Sequence, residues 1–386
     1  MTTPLQGLRV IELARILAGP WIGQTLADLG ADVIKVESPQ GDDTRQWGPP
    51  FVEHKGEQSA AYFHCCNRGK RSVVVDFRNE EGQNTVRDLI RDADVVIENF
   101  KLGGLKKYGL DYDSLAAINP RLIYCSVTGF GQTGPYAARP GYDFLVQGMG
   151  GAMSVTGAAD GEPQKMGVAF ADIFTGLYGV IGIQAALAER ERSGRGQQID
   201  LSLLDSMVGV MANQASSHLL GGLNPTRLGN AHPSIVPYQV FATADSHVIV
   251  AAANDGQYQR LCKVLDVPEL ANDQRFISNP ERVKNRDVLV ALLAGKIAAW
   301  QKLDFLEALE SAGVPCGSIN SVAEVFADPQ VQARGMKIEP EGVAGVRTPL
   351  VFSESNLALE KASPTLGEHT DEVLRELANR WQKVEK

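Results

Sequence analysis

Long apolar stretches are missing from this chain of 386 residues. No run approaches the roughly 18 apolar residues of a membrane-spanning helix, and the opening Met-Thr-Thr-Pro-Leu-Gln has neither the basic region nor the apolar stretch of a signal peptide. A cytoplasmic protein without a membrane partner is expected. Cysteine is scarce: Cys65, Cys66, Cys125, Cys262 and Cys316 are odd in number and show no C-x-x-C spacing, which fits free thiols in a reducing compartment rather than a disulfide framework. The six histidines include no H-x-x-x-H pair, so no metal site is expected. Positive charge is in deficit, with 37 Lys and Arg against 46 Asp and Glu and a formal net charge of −9. That balance argues against a nucleic-acid partner, because sequence-independent affinity for phosphates comes from clustered cations, but it permits a local anion site. Internal repeats and low-complexity tracts are lacking too.

What is present is an ordinary globular composition, 44% hydrophobic and 22% charged, and a length that suggests two or three domains. Leu8 to Leu13 reads as a short strand, Ala18-Gly19-Pro20 as a turn, and Trp21 to Leu29 as a helix that Gly30 stops. Val33 to Glu37 is the next strand, so the start is a β-α-β unit with parallel pairing. Strands at Ser72 to Phe77, Asp94 to Ile97 and Leu122 to Ser126, with a helix from Glu80 to Arg91, continue the alternation and predict a doubly wound α/β domain. Beyond Pro135 come long helices rich in small residues, from Asp172 to Arg190 and from Leu201 to Leu220. The expected organisation is a large domain over 1–220, a linker over 221–237 and a smaller α/β domain over 238–320. That smaller domain opens with hairpin strands at Val240 to Thr243 and His247 to Ala252. The tail, 321–386, has too little apolar periodicity to stand alone and should pack back on something larger.

Three features carry chemistry, each with a plainer reading beside it. The first strand-turn-helix invites a dinucleotide site, with Glu37 where a ribose-binding acid would sit. A pyrophosphate loop needs G-x-G-x-x-G, however, and here only Gly19 and Gly23 occur while Pro20 removes an amide, so β-α-β scaffolding is favoured. Asn67-Arg68-Gly69-Lys70-Arg71 places three cations in four positions, and Lys101, Lys106 and Lys107 follow a later strand. Such loops suit a phosphorylated ligand, or they are solvated turns. Asp172 directly precedes a helix bearing Gly176, Gly179 and Gly182. It is either an N-cap accepting from the first free amides, or a covalent nucleophile beside a groove that the glycine ridge opens to another backbone or a ligand.

Gly7 to Leu13, Leu17-Ala18-Gly19-Pro20 and Leu26 to Glu37 are followed in order by Asn67 to Arg71, Glu98-Asn99-Phe100, Ser126 to Pro135 and Ser193-Gly194-Arg195-Gly196-Gln197. Ala312-Gly313-Val314-Pro315 and Asp328-Pro329-Gln330-Val331 complete the set. Over essentially its whole length the chain thereby resembles the family III CoA-transferases, also called the CaiB/BaiF family. The resemblance implies an interlocked homodimer, each subunit having a nucleotide-fold large domain completed by the C-terminal tail and a smaller α/β domain. The family's catalytic aspartate stands in a G-x-x-x-x-D-x-x-x-G setting that matches Gly167 to Gly176, so the role falls on Asp172. CoA contacts carry over to Leu17, Ala18, Lys70, Asn99, Phe100 and Lys107. Formyl-CoA transferases have a glutamine where this chain has Leu17, which argues against formyl-CoA and oxalate as substrates. A racemase branch uses the histidine of a Gly-His-Asp motif, which here reads Gly141-Tyr142-Asp143. Tyrosine, with an ordinary pKa of about 10, is a poor base near neutral pH. A 2-methylacyl-CoA racemase and a non-catalytic acyl-CoA-binding protein are therefore the secondary readings. From Gly229 to Gln239 onward the chain is most similar to transferases that exchange CoA between dicarboxylic acids such as succinate and glutarate.

The implied enzyme has no tightly bound cofactor, uses CoA as co-substrate, and takes acyl-CoA and small carboxylic acids as partners. Oxyanion stabilisation requires backbone amides or similar donors. The loop with Asn254, Asp255, Gly256 and Gln257 is expected to supply them, a plain turn being the alternative. Arg45 is the expected cation for the far carboxylate of a dicarboxylic acid, with an ordinary surface charge as its plainer reading.

Overall fold

The computed structural model describes residues 2–384, with side chains to Arg380; Met1, Glu385 and Lys386, at the ends of the outer segments expected above, lie outside them. The chain forms two compact units. The first takes in Met1–Ala152, Lys165–Leu223 and Pro329–Lys386, and the second Met153–Gln164 and Asn224–Asp328. Two boundaries differ from the sequence reading. Residues 153–164 leave the expected large domain for the second unit, and the return to the first begins at Pro329 rather than at 321. The stretch 153–164 is held by backbone and side-chain bonds to 227–229, including Gly229 N to Gly157 O at 3.0 Å and Arg227 Nη2 to Gly161 O at 2.8 Å, partners too distant in sequence to be anticipated.

The first unit is built on six parallel strands: β1 (Arg9–Glu12), β2 (Asp32–Glu37), β5 (Arg71–Val74), β6 (Val95–Glu98), β7 (Ile123–Thr128) and β8 (Gln198–Ser202). A small hairpin, β3 (Phe51–His54) and β4 (Glu57–Ala60), lies between β2 and β5 in the chain. The sheet order is β5-β2-β1-β6-β7-β8. Successive residues bury on opposite faces, as the period of two requires. Val10, Val33, Val95 and Ile97 meet Ile22 and Leu26 of α1 (Ala18–Asp28) on one side, while Ile11, Ile34 and Val96 meet Val86, Leu89 and Ile90 of α2 (Glu80–Arg91) on the other. Burial on both faces is why these strands read as continuous apolar runs. Val373 of the C-terminal helix Thr370–Val384 joins the α2 side of this core.

The helix expected from Leu201 to Leu220 is instead three elements: the edge strand β8, α5 (Leu203–Gly209) and α6 (Ala212–Gly221). Residues 198–202 pair with β7, and Ser202 caps α5 by accepting from the Asp205 amide at 3.1 Å. Ala212 then takes a positive φ of 41°, which ends helical continuity. α3 (Asp143–Met149) and α4 (Phe170–Ser193) complete the layer beside α1. By length and composition α4 is long and apolar enough to cross a membrane, a property that counting uninterrupted apolar runs had passed over. Its Ile183 and Ala186 are core residues of this unit, whereas Leu177 and Ile181 are exposed.

The second unit has a three-stranded antiparallel sheet: Tyr238–Ala242, His247–Ala251 and Cys316–Ser318. Helices Asp255–Val264, Arg286–Ile297 and Lys302–Ser311 contribute Leu261, Leu293 and Phe305 to its own core.

Candidate active site

Along the sheet the chain runs outward from β1 to β2 and β5, then jumps back to β6 beside β1. Open parallel sheets bind ligands outside the carboxyl ends of the strands at such a reversal, because the two loops diverge there and leave a crevice. The loops in question are 13–17 after β1 and 99–104 after β6, and they line a cavity of about 240 Å³ with Leu17, Ala18, Asn99, Phe100 and Asp172 in its walls. A larger cavity, about 790 Å³ and lined by Arg9, Asp32, Arg71 and Glu372, lies by the opposite strand ends, where these charges pair with one another.

The loop after β1 is held in an unfavourable shape. Ile16, β-branched, has a φ of 73°, a conformation that costs such a residue about 1–2 kcal/mol. Its amide donates to both oxygens of Asp42 at 3.3 Å, its carbonyl accepts from Cys66 Sγ, and the neighbouring Arg15 backbone is clamped by Asn99. Asn99 accepts from Arg15 N at 2.9 Å and donates to Arg15 O at 2.6 Å. Asn99 thus joins the two loops of the crevice. Phe100 is set by its amide, which donates to Glu98 at 2.8 Å, and by edge contact with Phe77. Burial pushes the Glu98 carboxyl up to about 7, opposed by its hydrogen bonds from Ser126 and Phe100.

Asp172 lies in the first turn of α4, but the N-cap is Ala169, so the aspartate does not cap the helix. That service comes from elsewhere: Asp143 accepts from the Ala171 amide at 2.9 Å and from Gln147 Nε2 at 2.8 Å. Asp172 is half-buried in the cavity wall, and its carboxyl is pushed up to about 7, first by burial and then by the Asp143 charge. The positive end of the α4 dipole lies at this carboxyl and favours its ionised form. The glycine ridge serves packing rather than a ligand. A Cβ on Gly176 would lie 2.9 Å from Trp21, and one on Gly179 would lie 2.3 Å from Ile22, so α1 occupies the groove. Tyr142 is exposed and lines the same cavity, whose walls include no histidine among the described residues.

A second cavity, of about 510 Å³, adjoins through Arg15, Phe100, Lys101 and Leu102, and Lys107 lies on its wall. Lys101 and Lys107 are exposed and carry no ion pair among the described residues. A pair of free cations near an aromatic wall at a strand end is a fitting place for the phosphates of a nucleotide-bearing substrate.

Several expected residues are engaged in contacts of their own. Lys70 is fully buried and donates to Glu12, Pro20 O and Asn67 Oδ1, so it supports the base of α1 and does not line either cavity. Arg68 pairs with Asp28 and Arg71 with Asp32, so the basic run is neither a phosphate loop nor a solvated turn. Arg45 is also buried: it pairs with Glu37 at 2.7 Å and with Glu57 at 3.1 Å, and its guanidinium is 3.7 Å from the Phe63 ring centroid. It can hold no substrate carboxylate. Glu37, occupied by Arg45, Ser72 and the Asp42 amide, is correspondingly unavailable to a ribose. Asn254, Asp255, Gly256 and Gln257 belong to the second unit. There Asn254 caps a helix by accepting from the Gln257 amide, Gln257 accepts from Ala253 N, and Asp255 pairs with the buried Arg282. Sequence reasoning passed over Arg15, Asp143 and Arg139, all of which stand at the site; the Gly141-Tyr142-Asp143 motif drew notice for its tyrosine alone.

The model of CoA-transferase family III matches residues 5–370. Succinate–glutarate CoA-transferase of Agrobacterium fabrum is 57% identical over 97% of this chain and 96% of its own, and the succinyl-CoA:glutarate CoA-transferase of Homo sapiens is 41% identical over 97% and 86%. The crystal structure of a CaiB/BaiF family protein from Brucella suis superimposes with a TM-score of 0.91 at 62% identity, covering 98% of this chain and 100% of that one. With a parallel α/β sheet, an aspartate at its crevice and these relatives, the chain belongs to CoA-transferase family III and is a CoA-transferase.

Proposed function

We propose that the protein moves CoA between succinate and a short dicarboxylic acceptor such as glutarate, through an aspartyl-CoA thioester on Asp172. The observation that carries this reading is the half-buried Asp172 carboxyl, at the N-terminus of α4, in the wall of the crevice between β1 and β6. Asp172 attacks the thioester carbonyl of succinyl-CoA, and loss of the CoA thiolate leaves a mixed anhydride. The thiolate then attacks the aspartyl carbonyl, which releases succinate and forms the enzyme thioester. The acceptor carboxylate attacks that thioester in turn, and CoA resolves the second anhydride into the new acyl-CoA and free Asp172. One thioester is spent and one is made, so the exchange is near balance.

The open first turn of α1 contributes electrostatics. Ala18 lines the cavity, and the first amides of a helix have no partner within it, so they can donate to the oxyanion of a tetrahedral intermediate. The adjoining cavity, with Lys101 and Lys107, takes the CoA nucleotide, while Leu17, Asn99 and Phe100 line the passage to Asp172. No cofactor beyond CoA is required by these steps.

We further propose a homodimer, working in the cytoplasm. The first unit exposes Phe144, Leu219, Leu220 and Leu223, the last three at 78%, 88% and 64%, large apolar side chains that a second copy would cover. All five cysteines are free, as a reducing compartment allows.

The test is to incubate the protein with succinyl-CoA, trap with hydroxylamine and map the adduct by mass spectrometry. A hydroxamate at Asp172, and glutaryl-CoA when glutarate is added, is expected. An adduct on another carboxylate, or normal transfer without any adduct, defeats the mechanism.

A further inference from the structure

A dicarboxylic substrate brings a second carboxylate that takes no part in the chemistry. Held in a cavity without a partner, it costs binding energy, so a cation is required across a short methylene chain from Asp172. Arg45, Arg68 and Arg71 are excluded by their own carboxylates. Three cations line the cavity that contains Asp172: Arg15, Lys101 and Arg139. Arg15 and Lys101 are shared with the adjoining nucleotide-sized cavity, and Arg15 already pairs with Asp43 at 2.9 Å. Arg139 lines the Asp172 cavity and not its neighbour, and among the described residues it has no carboxylate partner.

The backbone puts Arg139 there for a steric reason. A Cβ on Gly129, after β7, would lie 2.5 Å from Gly141 Cα, so two glycines are needed for the Arg139-Pro140-Gly141 segment to lie against the strand end. The guanidinium is stacked 4.0 Å from the Tyr136 ring centroid, and the Arg139 amide donates to Tyr136 O at 2.8 Å, so the cation is presented on a fixed platform. Leu17, Val127 and Leu203 make apolar wall in the same cavity. A carboxylate nucleophile, apolar wall and an unpaired guanidinium in one cavity match a thioester, methylenes and a free carboxylate in one substrate.

We infer that Arg139 is the specificity-determining residue that takes the far carboxylate of short aliphatic dicarboxylic acids and their CoA esters. The inference rests on the CoA-transferase reading of this site. Its test compares glutarate with valerate, an acid of the same chain length without the second carboxylate, in wild type, Arg139→Gln and Arg139→Lys. In Arg139→Gln the ratio of kcat/KM for glutarate to that for valerate is expected to fall by about a hundredfold, mostly through KM, with CoA affinity by calorimetry preserved. Arg139→Lys should recover part of the ratio. An unchanged ratio overturns the inference, as does an equal loss on both acids or a loss of CoA affinity, either of which would assign Arg139 to CoA. A wild type that transfers CoA to valerate but to no dicarboxylate overturns the proposed substrate class before any variant is made, so the two failures are told apart.

Discussion

In the proposed mechanism Asp172 must ionise to attack, and its carboxyl is held near 7 by burial and by Asp143. Adduct formation should therefore weaken as pH falls through that value, to roughly a thirtieth of its plateau at about pH 5.5 if only the carboxylate attacks. Asp143→Asn removes the like charge while keeping an oxygen for the Ala171 amide, and the acidic limb should move to lower pH; a limb that stays in place would show that Asp143 matters only as a cap. The same shift has a stability consequence. The folded carboxyl binds its proton more tightly than the unfolded one, so its contribution is present below about pH 4 and is lost as pH rises through 7. Asp172→Asn should accordingly raise the thermal midpoint at pH 8 and change it little at pH 4. Lys70 makes the opposite kind of prediction. It shares Glu12 with Lys35 in a fully buried cluster, so Lys70→Ala should cost about 3–5 kcal/mol in urea unfolding while leaving the CoA affinity of the folded protein intact.

At the scale of elements, the separation of α1 and α4 sets where Asp172 stands. Gly179 is the tight point, with Ile22 Cδ1 2.3 Å from where a Cβ would be, whereas a Cβ on Gly182 would meet Ile199 at an ordinary 3.5 Å. Gly179→Ala should destabilise by about 1–3 kcal/mol through overpacking. It should also lower kcat by displacing the helix that carries the proposed nucleophile. Gly182→Ala should be neutral or stabilising by up to about 1 kcal/mol, because alanine loses less backbone entropy in a helix. Denaturant titration of the two variants checks both signs. The glycines were visible in the sequence, but their neighbour was not: period three along a helix announces a close approach without saying whether a ligand or another helix makes it.

For the whole molecule, the proposed homodimer is the testable feature, with a second copy covering the exposed Leu219, Leu220 and Leu223 of the first unit. Sedimentation at nanomolar concentration should show no compact species near the chain mass of 41.6 kDa, and an active one at that mass would refute the dimer. The chain's path is consistent with such dependence. It leaves the first unit after Leu223 and comes back at Pro329, and the returning segment packs its C-terminal helix beside β5, where Arg71 pairs with Glu372 and Glu376.

Local pattern was enough for the strands β1, β2, β5, β6 and β7 and for α2 to the residue, since strand runs and the Gly30 stop are readable from neighbours in sequence. The edge strand β8 was missed although Gln198–Ser202 alternates polar and apolar residues as a half-buried strand does, because five residues between a turn and a long apolar run are short, and pairing with the open edge of β7 is what fixes them. Tertiary structure alone decided which cations are free. Lys70 meets a glutamate 58 residues away and Arg45 a carbonyl 319 residues away, and both were thereby withdrawn from the surface their composition suggested. Arg139, in an unremarked Arg-Pro-Gly, was left unpaired in the cavity. A charge costs too much to bury unless a partner meets it, and that partner is chosen by the folding of distant segments, so no local reading of Lys or Arg can tell a structural ion pair from a ligand site.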